Sequence, residues 1–196
     1  PFQIHQDIWV IVIGASTGGP QVIQEIISNL PLGFPLPLVL VQHMSPGFIE
    51  GLALWLTEST GFPVSIAREG EVLQPGKLYV APDGIHTGVT SDLRFSFSIS
   101  PPEHNLRPSV SYLFRSAAKN LGSHVLGILL SGMGSDGAEE LLQIRQNGGC
   151  TIIQDRDSSF VYGMPGAAEM LNAGMFSLPP VEIARFLLSL SERRQL

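Results

Sequence analysis

Three side chains able to do acid–base or nucleophilic chemistry each follow directly on an apolar run. Ser16 lies in Gly14-Ala15-Ser16-Thr17-Gly18-Gly19, His43 in Gln42-His43-Met44, and Asp136 in Gly132-Met133-Gly134-Ser135-Asp136-Gly137. The first segment matches G-x-S-x-G, a pattern in which glycines let the chain turn sharply between strand and helix and leave a serine hydroxyl exposed. The helix that follows offers amides to a developing negative charge. Two readings stand for this loop: a nucleophile, or a Ser16 or Thr17 hydroxyl that caps the helix. An imidazole directly after Leu38-Val39-Leu40-Val41-Gln42 is either a general base, since it titrates near working pH, or a histidine satisfied at a strand end. The carboxylate of Asp136 can orient such an imidazole, or it can serve a turn or a helix cap.

Taken together the three fill the roles of a serine hydrolase. A serine hydroxyl needs a base, and the base needs an orienting group. An oxyanion also needs donors, for which the backbone N–H of Met133 and the amide after Ser16 are candidates. The chain order Ser, His, Asp differs from the Ser, acid, His order of the α/β-hydrolase superfamily, so membership there is not indicated.

The elements that must position these groups alternate. The run Ile8–Ile13 is continuous and β-branched, as in a strand buried on both faces. A helix follows over about 20–29, with Pro20 suited to its first turn. Further strands are expected at 36–42, 63–67, 77–81, 124–131 and 150–154. Helices are expected near 46–58, 108–121, 137–147, 165–172 and 180–190. The stretch 84–99 alternates apolar and polar residues around Ser91-Asp92 and reads as an antiparallel hairpin with one wet face. The sum is an α/β fold: a doubly wound, mostly parallel sheet with helices on both faces and an antiparallel hairpin. In such sheets, sites form beyond the carboxyl ends of the strands, where all three groups fall.

Composition narrows the classes. Of 196 residues, 44% are hydrophobic and 14% charged, which excludes a disordered chain. A net charge of −6, with Lys77 and Lys119 the only lysines, excludes the dense basic patch of a nucleic-acid surface. No apolar run is long enough to span a bilayer, and no secretory signal opens the chain, so no membrane insertion is expected. Cys150 has no partner for a disulfide and begins an apolar run; it fits a small buried hydrophobe and a reducing, cytoplasmic compartment. The chain begins Pro-Phe-Gln rather than with Met, as a fragment or processed form would.

Six ordered blocks resemble the catalytic domain of the CheB-type chemotaxis receptor methylesterases. They are G-A-S-T-G-G-P at 14–20, Q-H-M-S-P-G-F at 42–48, Q-P-G-K-L-Y-V-A-P at 74–82, R-P-S-V-S-Y-L-F at 107–114, S-G-M-G-S-D-G-A at 131–138 and Q-D-R-D-S-S-F-V-Y-G-M-P at 154–165. The resemblance covers nearly the whole chain and implies one catalytic domain over 1–196, without a receiver domain. It implies hydrolysis of glutamate γ-methyl esters on chemoreceptor-type proteins, with release of methanol and, in some members, deamidation of receptor glutamines. The roles implied are Ser16 as nucleophile, His43 as base, Asp136 as orienting acid and Met133 as carrier of an oxyanion-hole amide. The partners implied are the helical cytoplasmic region of a methylated receptor and a phosphorylated receiver domain in cis or in trans. No cofactor is implied.

Thr17 matches a family threonine beside the nucleophile, and His86 falls where the family often has a histidine. His86 either lines the cleft or lies on the exposed hairpin face. Arg107 supports the site, binds an acidic substrate or serves a structural ion pair. Met164 shapes a loop by the cleft or simply packs. Departures from the family pattern stand at Ser111, where Asp is usual, at Gly166, where a basic residue is common, and at Glu50 and Gly51. They bear on docking of substrate rather than on hydrolysis. Asp155 and Asp157 lack the ligand pattern of a metal loop and read as a solvated turn, and His5, His104 and His124 lack metal-ligand spacing, so no metal site is expected. Two alternative functions remain: an inert interaction module of the same fold, and a nucleotide-binding domain. The loop 14–19 lacks both G-x-G-x-x-G and a phosphate-loop lysine, which weighs against the latter.

Overall fold

A computed structural model describes residues 6–193. His5 lies outside the described residues. Strand β1 (Val10–Ala15) is the buried centre of a seven-stranded sheet. It is followed by helix α1 (Gly19–Ser28), β2 (Leu38–Gln42), α2 (Ile49–Thr60), β3 (Val64–Ile66) and β4 (Leu78–Val80). A hairpin of β5 (His86–Val89) and β6 (Phe95–Ser98) precedes α3 (Val110–Leu121), and a 3-10 turn at Gly122–His124 leads into β7 (Val125–Leu129). The chain continues through α4 (Ala138–Gln146), β8 (Cys150–Gln154), α5 (Met164–Met170), β9 (Phe176–Leu178) and α6 (Pro180–Arg193).

The sheet order is β3-β4-β2-β1-β7-β8-β9, and every pair is parallel. Alternation of side chains along the strands divides the core into two layers. Ile11, Ile13 and Ala15 of β1 face a layer built by Ile23 and Ile27 of α1, Leu52 and Leu56 of α2 and Phe186 of α6. Val10 and Val12 face the opposite layer, with Leu113 and Phe114 of α3, Leu141 of α4 and Ala168 of α5. Helices therefore cover both faces, which is why β1, β2, β7 and β8 are buried at every position and β1, β2 and β7 are almost wholly apolar. Removing a large side chain from these layers, as in Ile13→Ala, costs roughly 2–5 kcal/mol.

The chain moves outward from β1 through β2 to the edge strand β3, steps back to β4 between them, then crosses to β7 on the other side of β1. That reversal opens a crevice at the carboxyl ends of β1 and β7, the place where such sheets bind ligands.

Two features differ from the expectations. Strand β5 is buried at all four positions, so the hairpin has no fully wet face; α3 packs on it. Strand β9 was not expected, because Phe176–Leu178 is too short to show a period.

Candidate active site

The loop after β1 begins with a tight turn. Gly19 N–H donates to Ser16 O at 2.9 Å, and Gly18 occupies the third turn position at φ 84°, ψ −8°. Those angles are those of a type II turn, which demands glycine there. Space demands it too, since a Cβ on Gly18 would lie 2.6 Å from Phe160 Cβ. Gly18 is itself the N-cap of α1, with no side-chain cap, so neither Ser16 nor Thr17 caps that helix. Ser16 is half-buried and Thr17 is exposed.

His43 follows the last residue of β2, the neighbour of β1. Its N–H donates to Ala15 O at 2.9 Å, which ties it to the residue before Ser16. Its Nε2 lies 2.9 Å from Asp136 Oδ2. The oxygen stands off the N–H axis, so this is a close polar contact rather than an aligned hydrogen bond. Asp136 thus faces Nε2 rather than Nδ1. No hydrogen bond joins Ser16 Oγ to the ring in this structure.

Asp136 comes from the loop after β7, the other neighbour of β1. It is buried, yet it does not cap α4, whose N-cap is Gly137 without a side-chain cap. Its carboxylate instead sits on the N-terminus of α3. Val110 N–H donates to Oδ2 at 2.7 Å and Ser111 N–H donates to Oδ1 at 2.9 Å. These are unpaired first-turn amides, at the positive end of the helix. Burial pushes the Asp136 carboxyl up, but the close approach of His43 and the hydrogen bonds from the Ser111 hydroxyl and these two amides outweigh it and hold the group below its ordinary value. Asp136 is therefore ionised at neutral pH and able to stabilise an imidazolium.

Ser16, Thr17, His43, Met133 and Asp136 line one cleft of about 580 Å³, closed on one side by residues 104–106. Met133 is exposed, and its amide, like that of Thr17, has no protein acceptor among the described residues. A larger apolar groove of about 670 Å³ lies beyond Gly18 and Phe160, but it contains none of the three reactive groups, so the smaller cleft is the site of interest.

The remaining candidates separate. His86 neither lines the cleft nor faces solvent: it is buried against Tyr112, with Ser109 N–H donating to Nδ1 and Nε2 facing Pro101 O. It supports Ser109, the N-cap of α3, at one remove from Asp136. Met164 is fully buried and packs where a Cβ on Gly132 would stand, 2.4 Å from its Sδ. Arg107 donates to the Ile99 and Ser100 carbonyls and lines a separate cavity of about 220 Å³ on the other side of His43. His104, expected on the surface or in the core, is an exposed part of the cleft wall. Asp155 accepts from Ser158 N–H in a turn, and no cluster of metal-binding side chains occurs among the described residues. Burial pushes the Cys150 thiol up to about 12, which leaves it unreactive.

Sequence reasoning passed over the α3 amides and two buried polar residues, Gln42 and Ser131. The Pro108-Ser109 pair ahead of an apolar period was a readable helix-start signal, and with it an anion site. Nothing in the sequence paired that site with Asp136.

The fold and cleft define a doubly wound α/β domain with a hydroxyl and a histidine–carboxylate pair at three adjacent strand ends. Residues 11–187 match the family model described as CheB methylesterase, and the chain belongs to that family. It is 99% identical over 196 residues to "Protein-glutamate methylesterase/protein-glutamine glutaminase 2" of Methanospirillum hungatei JF-1, covering 100% of this chain and 56% of that protein. It is 50% identical over 182 residues to the corresponding protein numbered 4 of Geobacter metallireducens, covering 92% of this chain and 52% of that one. The chain thus spans about half the length of the curated relatives it matches. The crystal structure of the Thermotoga maritima CheB methylesterase catalytic domain superposes with a TM-score of 0.90 at 35% identity, over 93% of this chain and 98% of that one. The nucleotide-binding alternative finds no support in these matches.

Proposed function

We propose that this domain hydrolyses the γ-methyl esters of glutamate side chains on a chemoreceptor-type protein. The observation that carries the reading is the His43–Asp136 pair, with its carboxylate held by the α3 amides, in the same cleft as Ser16. Ser16 Oγ attacks the ester carbonyl while His43 takes its proton. The oxyanion forms against the amides of Thr17 and Met133. His43 returns the proton to the methoxide, methanol leaves, and the glutamyl group remains on Ser16. Water then attacks the acyl-enzyme with His43 again as base, freeing glutamate and restoring the serine. A glutamine substrate follows the same course, with ammonia as the leaving group. The names of the relatives, which pair methylesterase with glutaminase, support both activities.

The whole chain acts in this reading as one catalytic domain in the cytoplasm, and a phosphorylated receiver domain, in cis or in trans, gates it. Among the described residues no helix is long and apolar enough to cross a membrane. The test is release of methanol from methylated receptor membranes, wild type against Ser16→Ala. Release by the wild type alone supports the reading. Equal release, or none from either, contradicts it and favours an inert module.

A further inference from the structure

Gln42, the last residue of β2, is 3% exposed and stands between the two loops that carry Ser16 and His43. Its Nε2 donates to Ser16 O at 2.8 Å and to His43 O at 2.9 Å. Its Oε1 is buried and accepts from no protein group among the described residues. Burying a carboxamide with its oxygen unmet is unfavourable, and an apolar side chain of like size would avoid that cost. Packing alone therefore does not account for the residue, whereas its two donated bonds do. The neighbouring helix makes room for it: a Cβ on Gly19 would fall 2.3 Å from Oε1 and 3.1 Å from Cδ.

A second grip comes from the opposite flank of β1. Ser131 Oγ donates to Thr17 O at 2.7 Å and accepts from Val161 N–H at 2.9 Å. Two consecutive carbonyls of the nucleophile turn are thus drawn inward, by Gln42 at the end of β2 and by Ser131 just after β7. The 16–17 peptide is trans, so its N–H points opposite to its C=O. With Ser16 O turned toward buried Gln42, the Thr17 N–H is turned outward, where Thr17 lines the cleft and where that amide meets no protein acceptor.

On the hydrolase reading above, we propose that Gln42 is a positioning residue: its bond to Ser16 O presets the Thr17 amide as an oxyanion donor, and its bond to His43 O sets the spacing of nucleophile and base. Gln42 touches neither substrate nor the reacting atoms. An amide preset in this way loses no free energy to reorientation when charge develops, so its effect falls on turnover rather than on binding.

The test compares wild type with Gln42→Met, which keeps the length and removes both donors. The probes are hydrolysis of p-nitrophenyl acetate and the ¹H–¹⁵N resonance of Thr17. Thr151→Val serves as the control, because it severs buried bonds to Ala173 O and Met175 N–H at the far end of β8. The expected result is a fall in kcat of at least about tenfold with KM within about twofold, together with a displaced Thr17 amide resonance. Thr151→Val lowers Tm but leaves both readouts in place. Should Gln42→Met fail to fold, Gln42→Leu, which also removes both donors and leaves the nucleophile turn's own residues unchanged, takes its place, and the same two changes are expected. An unmoved Thr17 amide, or a kcat within about twofold of wild type, overturns the proposal. If the wild type itself hydrolyses no ester, the hydrolase reading is lost, and the Thr17 resonance still decides the role of Gln42.

Discussion

The loops after β1 and β7 contain the same turn put to two uses. Ser16-Thr17-Gly18-Gly19 closes with Gly19 N–H on Ser16 O, and Ser135-Asp136-Gly137-Ala138 closes with Ala138 N–H on Ser135 O at 3.1 Å. The third residue is Gly18 at φ 84°, ψ −8° in one and Gly137 at φ 86°, ψ −8° in the other, and each is the N-cap of the next helix. Their settings differ. The first turn starts directly after β1, and Ser16, at its first position, reaches the cleft. The second is set off from β7 by residues 130–134, and Asp136, at its second position, is the buried group. A turn type therefore does not determine a chemical role; its neighbours do. Gln42 and Ser131 grip the carbonyls of the first turn, while the α3 amides grip the carboxylate of the second.

If the first turn presents the nucleophile, Ser16→Ala and His43→Ala should each lower ester turnover by on the order of 10⁴-fold or more, and the double variant should lose little beyond that. Steady-state rates on an activated ester check this. A double variant much worse than either single one would show that the two groups do not act as a unit.

Asp136→Asn probes the second turn, with an expected loss on the order of 10²–10⁴-fold in kcat. The new amide places N–H against N–H at the α3 terminus, at a cost of about 1–3 kcal/mol in stability near neutral pH. The pH dependence follows from the lowered carboxyl pKa. A depressed acid stabilises the native state above its unfolded value, about 3.9, and that stabilisation disappears as pH falls through the folded value. Denaturant titrations should therefore show the gap between wild type and Asp136→Asn narrowing below about pH 4. A gap constant from pH 7 to pH 2 would mean that the α3 amides do not favour the ionised form.

The smallest expected effect sharpens the contrast between the turns. Ser135 has the same turn position as Ser16 and also lines the cleft, but it is exposed and its neighbours do not grip its turn in the same way. Ser135→Ala should keep kcat/KM within about threefold of wild type. A loss approaching that of Ser16→Ala would reverse the assignment of the two turns.

Much of this arrangement was legible in the sequence, for identifiable reasons. Fully buried strands such as Val10–Ala15 and Val125–Leu129 announce themselves as unbroken apolar runs, and G-A-S-T-G-G and S-G-M-G-S-D-G-A mark the turns by glycines that backbone geometry requires. Contacts between distant segments were not legible. His86 has the alternation of a hairpin face, and only the tertiary packing of α3 shows that it is buried under Ser109 and Tyr112. The α3 amides lie 25 or 26 residues from Asp136, and backbone donors leave no mark in side-chain identity. Gln42 reads as the polar end of an apolar strand; its two acceptors are carbonyls, which any residue could supply.

The central claim is that Ser16, served by His43, is the group that becomes acylated. Treating the protein with a fluorophosphonate and mapping the modified residue by mass spectrometry tests it most directly. The account predicts a single adduct on the peptide containing Ser16, absent from His43→Ala at matched times. An adduct on Ser135, or ester hydrolysis that persists in Ser16→Ala, would contradict it.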